Sequence, residues 1–148
     1  MKKIYHLSTC DTCKRIIQEI NFPDNFTFQD IKTEAITESQ LEEMKALSGS
    51  YESLFSKRAR LYKERDLKNQ ALEENDYKSL ILEHYTFLKR PVIIVDENIF
   101  IGNSKKIVAT AKVAAAVIRR FRDFAAAPKV AEPVARLLKE PVISAEVQ

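Results

Sequence analysis

The sequence contains very little glycine: Gly49 and Gly102 are the two glycines among its 148 residues. The phosphate-binding loops of P-loop NTPases and of dinucleotide-binding folds each need glycines at several fixed positions, where the backbone turns tightly or approaches a phosphate closely. Two isolated glycines cannot form either motif. Nucleotide binding through such a loop is therefore excluded.

Long hydrophobic runs are also missing. No apolar segment approaches the roughly 20 residues that a membrane-spanning helix needs, and the N-terminal residues 1–6 lack the apolar stretch of a signal peptide. Hydrophobic residues make up 45% of the chain and charged residues 30%, which is typical of a globular protein. The formal net charge of +3 is low for a dedicated nucleic-acid binder but compatible with an anionic substrate. We therefore expect a cytoplasmic protein that binds neither membranes nor nucleic acid directly.

Cysteine is limited to Cys10 and Cys13. A structural disulfide framework would use more cysteines at longer separations, and a zinc ribbon would need a second Cys or His pair. Neither is present, so two alternatives are left for the pair. In a cytosolic protein, Cys-x-x-Cys near a strand-to-helix junction is typical of a redox pair; otherwise the cysteines are inert small core residues.

The hydrophobic pattern predicts the order β-α-β, then helices, then β-β-α. Strands are expected at residues 3–7 and 26–31, and a helix between them carries Cys13, Ile16, Ile17 and Ile20 along one face. The continuous β-branched run at 92–95 predicts a strand buried on both faces, with residues 99–101 as its hairpin partner. The simplest arrangement is a mixed α/β sheet, parallel between the first two strands and antiparallel between the last two.

A helical insertion is predicted at about residues 37–86, inside a domain that covers residues 1–124. Thr37 and Gln40 have the spacing of a capping box, and Gly49 suits the end of the helix that follows. A basic stretch lies at 57–68. After residue 124 the pattern decays into an alanine- and proline-containing segment, which we interpret as a C-terminal extension at 125–148 without predicted chemistry.

Cys10 is the candidate nucleophile because it falls where the first strand ends and a helix begins. Unpaired N–H groups and the positive end of the helix dipole favour a thiolate there, although Asp11 opposes this locally. Cys13 lies one turn later on the apolar face, so we expect a more buried, resolving thiol. His6 is either a neighbour that helps to keep Cys10 ionised or a strand histidine without a catalytic role.

Arg58 and Arg90 are the candidate anion-binding residues. Guanidinium groups stay charged and present paired donors to an oxyanion. Arg90 is well anchored because Pro91 and a buried strand follow it. Arg58 lies in a charged segment, 57–60, that is otherwise a solvated face or a surface for an acidic partner.

Several of these segments together resemble the glutaredoxin-coupled arsenate reductase family, which includes the Spx-type transcription regulators. The segments are Ile4-Tyr5-His6, Cys10-Asp11-Thr12-Cys13-Lys14, Lys57-Arg58 and Leu88-Lys89-Arg90-Pro91-Val92-Ile93-Ile94. The resemblance covers about residues 1–120 and implies a thioredoxin-like fold with a helical insertion.

The resemblance also implies roles for individual residues. Cys10 matches the nucleophile of the family and His6 the histidine that tunes it, while Arg58 and Arg90 match two of three arginines that hold arsenate. The third arginine position falls at Asn103. Pro91 is implied to be a cis proline that faces the cysteine loop, and Cys13 looks more like the Cys-x-x-Cys of the Spx-type regulators.

Two functions from different classes follow from the resemblance. The first is a thiol-dependent reductase of an oxyanion or disulfide, resolved by Cys13 or an external thiol. It needs no metal or organic cofactor, and glutathione or a glutaredoxin is its expected electron donor. The second is an Spx-like redox-sensing regulator that binds RNA polymerase. A family member with neither role is the third alternative.

Overall fold

The computed structural model describes the backbone of residues 1–124 and the side chains of residues 1–116, so the predicted extension at 125–148 lies outside the described residues. In order, its elements are β1 (Lys2–His6), α1 (Asp11–Ile20), β2 (Thr27–Asp30), α2 (Glu38–Ser48), α3 (Arg60–Glu64), α4 (Glu74–Glu83), β3 (Val92–Val95), β4 (Asn98–Ile101) and α5 (Lys105–Phe124). Short 3₁₀ helices occur at Glu52–Leu54, Leu67–Asn69 and Tyr85–Phe87. None of the helices in the described residues is both long and apolar enough to cross a bilayer.

The four strands form one mixed sheet in the order β2-β1-β3-β4. β1 and β2 are parallel and are joined by α1, whereas β3 is antiparallel to both of its neighbours, β1 and β4. All four residues of β3 are buried, as its β-branched sequence predicted. The predicted α/β class and strand directions are confirmed.

Alternation along the central strands divides the core between the two faces of the sheet. Ile4 and Ile93 pack on one face with Ile16 of α1 and with α5. Tyr5 and Ile94 pack on the other face with the helical insertion. Because successive strand residues point to opposite faces, each central strand supplies side chains to both clusters.

The start and end of α2 are those expected from its sequence. The Thr37 side chain accepts a hydrogen bond from the Gln40 backbone, and the Gln40 side chain accepts one from the Thr37 backbone, both at 3.1 Å. Gly49 ends the helix at φ +96°, a left-handed conformation that favours glycine. The predicted capping box and helix stop are confirmed.

The basic stretch at 57–68, for which no element was predicted, contains α3 and a 3₁₀ helix. Its five-residue helix, α3, has no buried residue and so leaves no apolar periodicity in the sequence. Tertiary contacts hold it instead: the Tyr62 ring packs edge-on against the buried ring of Phe55, with centroids 5.8 Å apart.

Candidate active site

Cys10 is the residue that caps the N-terminus of α1. Its backbone is extended, its N–H donates to the Leu7 carbonyl at 3.0 Å, and its carbonyl accepts from the Lys14 N–H at 3.1 Å. The side chain is partly exposed. The Cys10 side chain makes no capping hydrogen bond, but the first-turn N–H groups of Thr12 and Cys13 act on its sulfur and lower the pKa of its thiol. The helix start therefore presents its unpaired donors to this sulfur.

The environment of Cys10 favours its thiolate. Partial burial raises the pKa of the Cys10 thiol, but several stabilising interactions outweigh it. These are, largest first, polar interactions with the Cys13 backbone, the Cys13 side chain and the Thr12 backbone, followed by the charge of Arg90. The net result is a pKa below the ordinary thiol value, as the position at a helix start predicts.

Cys13 has the opposite character. Its side chain is completely buried, and burial raises its pKa to about 11, with the nearby Cys10 charge and the hydrogen bond to Cys10 adding to the rise. A hydrogen bond with the Leu7 backbone and the charge of Arg90 act the other way but are smaller in sum. The pair thus combines a partly exposed thiol of lowered pKa with a buried thiol of raised pKa.

Cys10 opens into a cleft of about 920 Å³, which we call the cysteine cleft. Its lining comes from the α1 start, the insertion, the segment before β3 and the loop between β4 and α5: Cys10, Thr12, Ser50, Glu52, Ser53, Phe55, Ser56, Lys57, Arg58, Lys89, Arg90, Ile101, Gly102, Asn103 and Ser104. The structure therefore brings together Cys10, Arg58, Arg90 and Asn103, which are 93 residues apart at the extremes.

Arg90 has an unusual hydrogen-bonding state. Its Nη1 donates to the carbonyls of Thr86 and Leu88 at 3.5 and 3.3 Å, which folds the side chain back on its own segment. Its Nε is buried and has no hydrogen-bond partner among the described residues. Buried donors are nearly always paired in folded proteins. Arg90 also lines the cysteine cleft, so an anion bound there would lie beside its positive charge.

Arg58 reaches the cleft because two distant segments pair. The Ser56 N–H donates to the Phe87 carbonyl at 2.7 Å, and the Lys89 N–H donates to the Leu54 carbonyl at 2.8 Å. These bonds hold residues 54–56 antiparallel to residues 87–89, just before Arg58 and Arg90 respectively. Arg58 is exposed and forms no ion pair with any described residue.

Pro91 and His6 lie outside the cleft lining. The Arg90–Pro91 peptide bond is cis, as the resemblance implies. Pro91 is buried, and its carbonyl accepts from the Gly102 N–H at 2.9 Å, which fixes the loop that carries Asn103. The His6 ring lies edge-on to Phe28 at 5.9 Å. Its influence on Cys10 stays a prediction.

Sequence reasoning missed two charged residues of the cleft, Glu52 and Lys89. Glu52 forms an ion pair with Lys57 at 3.0 Å. Lys89 stands next to Arg90, and this adjacency was the available signal for it. Nothing in the sequence around Glu52 indicated that it lines the cleft, because its position there depends on how the helical insertion folds. Among the described residues, no group of three or more His, Cys, Asp or Glu side chains could hold a metal ion.

Comparison with known proteins gives consistent matches over this part of the chain. A model of the ArsC family matches residues 5–111. The arsenate reductase from Vibrio cholerae is 17% identical with a TM-score of 0.61, and the match covers 73% of this chain and 94% of that chain. An arsenate reductase (ArsC) related protein from Brucella melitensis is 22% identical with a TM-score of 0.57, covering 71% and 88%. A protein from Staphylococcus aureus COL is 26% identical with a TM-score of 0.58, covering 72% and 94%. No curated protein sequence matches the chain.

Proposed function

Since the chain belongs to the ArsC family and has a thioredoxin-like fold, we propose that it is a thiol-dependent reductase in which Cys10 attacks an oxyanion such as arsenate. One observation carries the proposal: the Cys10 sulfur, with its lowered pKa, shares a cleft with Arg90, whose buried Nε has no acceptor among the described residues. A nucleophile and a guanidinium charge that can stabilise an oxyanion thus line the same cleft.

The reaction has two steps. The Cys10 thiolate forms a bond to arsenic, and an arsenate oxygen leaves as water after protonation. A second thiolate then attacks the Cys10 sulfur, so that a disulfide forms and the sulfur–arsenic bond breaks. The electron pair of that bond stays on arsenic, which reduces arsenate to arsenite. In sum, arsenate and two thiols give arsenite, a disulfide and water.

Cys13 or an external thiol supplies the second sulfur. Cys13 is protonated at neutral pH because burial, the largest cause, raises its pKa, and the charge of the Cys10 thiolate adds to the rise. Once Cys10 is bonded to arsenic, that charge is gone and the pKa of Cys13 falls. Reaction of Cys10 therefore makes Cys13 easier to deprotonate, while burial continues to raise its pKa. Glutathione or a glutaredoxin then reduces the disulfide.

Arg90 and Arg58 hold the oxyanion in this proposal. Both are permanently charged and can donate paired hydrogen bonds to it. Asn103 lines the same cleft and offers a neutral amide where the resemblance places a third arginine. We therefore expect weaker arsenate binding than in a site with three arginines.

The test is arsenate reduction with glutathione, with and without a glutaredoxin. Cys10→Ser should abolish arsenite formation, and Arg90→Gln should lower kcat/KM by roughly 100-fold, the scale seen when one oxyanion donor is removed. Arg60→Gln is the matched control, since Arg60 is an exposed arginine of the same segment that does not line the cleft. If the unsubstituted chain forms no arsenite with either donor, the proposal is wrong.

An Spx-like regulator that binds RNA polymerase is the second candidate. The placement of the two cysteines favours it: Cys10 caps α1 and Cys13 lies in its first turn, a spacing at which oxidation can form a disulfide. The measurement is capture of RNA polymerase by the oxidised and the reduced chain, with Cys13→Ser as the variant that cannot form the disulfide. This candidate predicts that only the unsubstituted chain changes its capture on oxidation, and redox-independent capture would contradict it.

A further inference from the structure

The segment that leads into Arg90 contains a short 3₁₀ helix, Tyr85–Phe87, which we call the support helix. Nη1 of Arg90 donates one hydrogen bond to the Thr86 carbonyl of this helix at 3.5 Å and another to the Leu88 carbonyl, directly after it, at 3.3 Å. The conformation of the support helix therefore helps to determine where the Arg90 guanidinium lies.

The support helix also holds the segment that carries Arg58. The Phe87 carbonyl accepts a hydrogen bond from the Ser56 N–H at 2.7 Å, and the Phe87 ring stacks on the ring of Phe55 with centroids 5.3 Å apart. Ser56 precedes Arg58 by two positions in the chain. Arg58 and Arg90, which both line the cysteine cleft, thus depend on the same three-residue helix.

His84 caps the N-terminus of the support helix. A single turn makes few hydrogen bonds of its own, so its first N–H groups need acceptors from outside the helix. His84 supplies one: its Nδ1 accepts a hydrogen bond from the Thr86 N–H at 3.0 Å. The His84 ring also stacks on the ring of Tyr85, with centroids 4.5 Å apart, and this contact restricts the orientation of the imidazole.

We propose that His84 is a positioning residue for the oxyanion-binding arginines of the cysteine cleft. Its Nδ1 fixes the backbone N–H of Thr86, and the carbonyl of Thr86 accepts from Arg90. His84 does not itself line the cleft, so it acts through the support helix. The inference rests on the proposed function, because it concerns the anion that Cys10 attacks. It adds that a side-chain acceptor at position 84 strengthens the preference of the site for anionic over neutral reactants.

The experiment compares two alkylating agents of Cys10 in the full chain, the anionic iodoacetate and the neutral iodoacetamide. In both reactions the Cys10 thiolate attacks the methylene carbon, a sulfur–carbon bond forms and iodide leaves. Because both need the same thiolate, the ratio of the two rates is independent of the ionisation of Cys10 and reports the positive charge near it. Peptide mass spectrometry measures both rates at pH 7 and low salt, where charges are least screened. Arg90→Gln is the positive control and should lower the ratio of the iodoacetate rate to the iodoacetamide rate.

His84→Leu should lower this ratio roughly threefold, a scale set by exposed charge pairs. His84→Asn should preserve it, because asparagine offers a side-chain oxygen as acceptor at the same capping position. Thr37→Ala is the matched control: it removes the side-chain cap of α2, which does not line the cleft, and should leave the ratio unchanged. The proposal is overturned if His84→Leu leaves the ratio unchanged, or if His84→Asn or Thr37→Ala lowers it as much as His84→Leu does.

Failure of the proposed function gives a different result. If the chain forms no arsenite but the alkylation ratios follow this pattern, the reductase fails while the positioning role of His84 is supported, because alkylation needs no thiol donor. If Cys10 reacts with neither agent, it is not a nucleophile, and calorimetric binding of arsenate decides the role of His84. Weaker binding in His84→Leu than in the unsubstituted chain and in His84→Asn supports that role. Equal binding in all three, or no binding to any of them, overturns it.

Discussion

Two cysteines one helical turn apart have opposite pKa shifts, and burial decides between them. Both lie at the same helix start, and both feel the charge of Arg90. The Cys10 sulfur is only partly buried, so hydrogen bonds outweigh desolvation. The Cys13 sulfur is completely buried, so desolvation dominates and its thiol stays protonated. The protonated side chain of Cys13 in turn stabilises the thiolate of Cys10 and lowers its pKa.

This coupling predicts the pH dependence of Cys10 alkylation. The rate of reaction with iodoacetamide follows the thiolate fraction, so its midpoint should lie below the unperturbed thiol value of about 8.5. Cys13→Ala removes a donor to Cys10 and should raise the midpoint. Cys13→Ser keeps a hydroxyl donor and should largely preserve it. The rate is measured by mass spectrometry between pH 5 and pH 10, as roughly tenfold steps per pH unit below the midpoint.

Two outcomes of the alkylation experiment would contradict this prediction. A midpoint at or above about 8.5 in the unsubstituted chain would show that the helix start does not activate Cys10. A midpoint that Cys13→Ala leaves unchanged would show instead that the backbone N–H groups and Arg90 suffice, and that the side chain of Cys13 does not act on Cys10.

At the scale of elements, local signals predicted most of the fold. The Thr37–Gln40 box, the stop at Gly49 and the β-branched run of β3 each depend on neighbouring residues, and each is confirmed. The position of α1 directly after Cys10 was predicted for the same reason. Such signals are readable because capping, turn and burial preferences act over a few residues.

The walls of the cysteine cleft could not be predicted in the same way. Arg58 and Lys89 both line the cleft, and their segments meet because residues 54–56 pair with residues 87–89, more than 30 positions away. The buried ring of Phe55 stacks on that of Phe87 and fixes this contact, with centroids 5.3 Å apart. Neither segment has the length or alternation of a strand. The resemblance identified Arg58 and Arg90, but Glu52 required the fold itself.

At the scale of the whole molecule, the protonation state of Cys13 affects both the candidate active site and the stability of the fold, because Cys13 is part of the core. It belongs to the core cluster on the insertion side of the sheet, together with Tyr5, while α1 otherwise packs against the opposite face through Ile16 and Ile20. Ionisation of Cys13 would place a charge in this apolar cluster. Burial raises the pKa of Cys13 and keeps its thiol protonated beside Cys10. For the same reason, the free energy of unfolding should decrease at alkaline pH.

This predicts a loss of stability above the pKa of an unfolded thiol, about 8.5. The folded pKa of Cys13 is raised to about 11, so between these values the folded chain holds a proton that the unfolded chain has released. The free energy of unfolding should therefore fall as pH rises through this window, approaching about 1.4 kcal/mol per pH unit. The effect fades below the unfolded pKa of about 8.5 and is negligible near pH 7. Urea unfolding at pH 7, 8, 9 and 10 measures it.

Cys13→Ser is the informative variant in this series. Its hydroxyl does not titrate, so the slope between pH 9 and pH 10 should flatten even if the variant is less stable throughout. Cys10→Ser is the matched control: Cys10 has a lowered pKa, so its own titration does not make the folded chain less stable as the pH rises. An unchanged slope in Cys13→Ser would contradict the buried, protonated thiol on which the resolving role of Cys13 depends. A slope lost in Cys13→Ser and retained in Cys10→Ser assigns the alkaline sensitivity to the one buried sulfur.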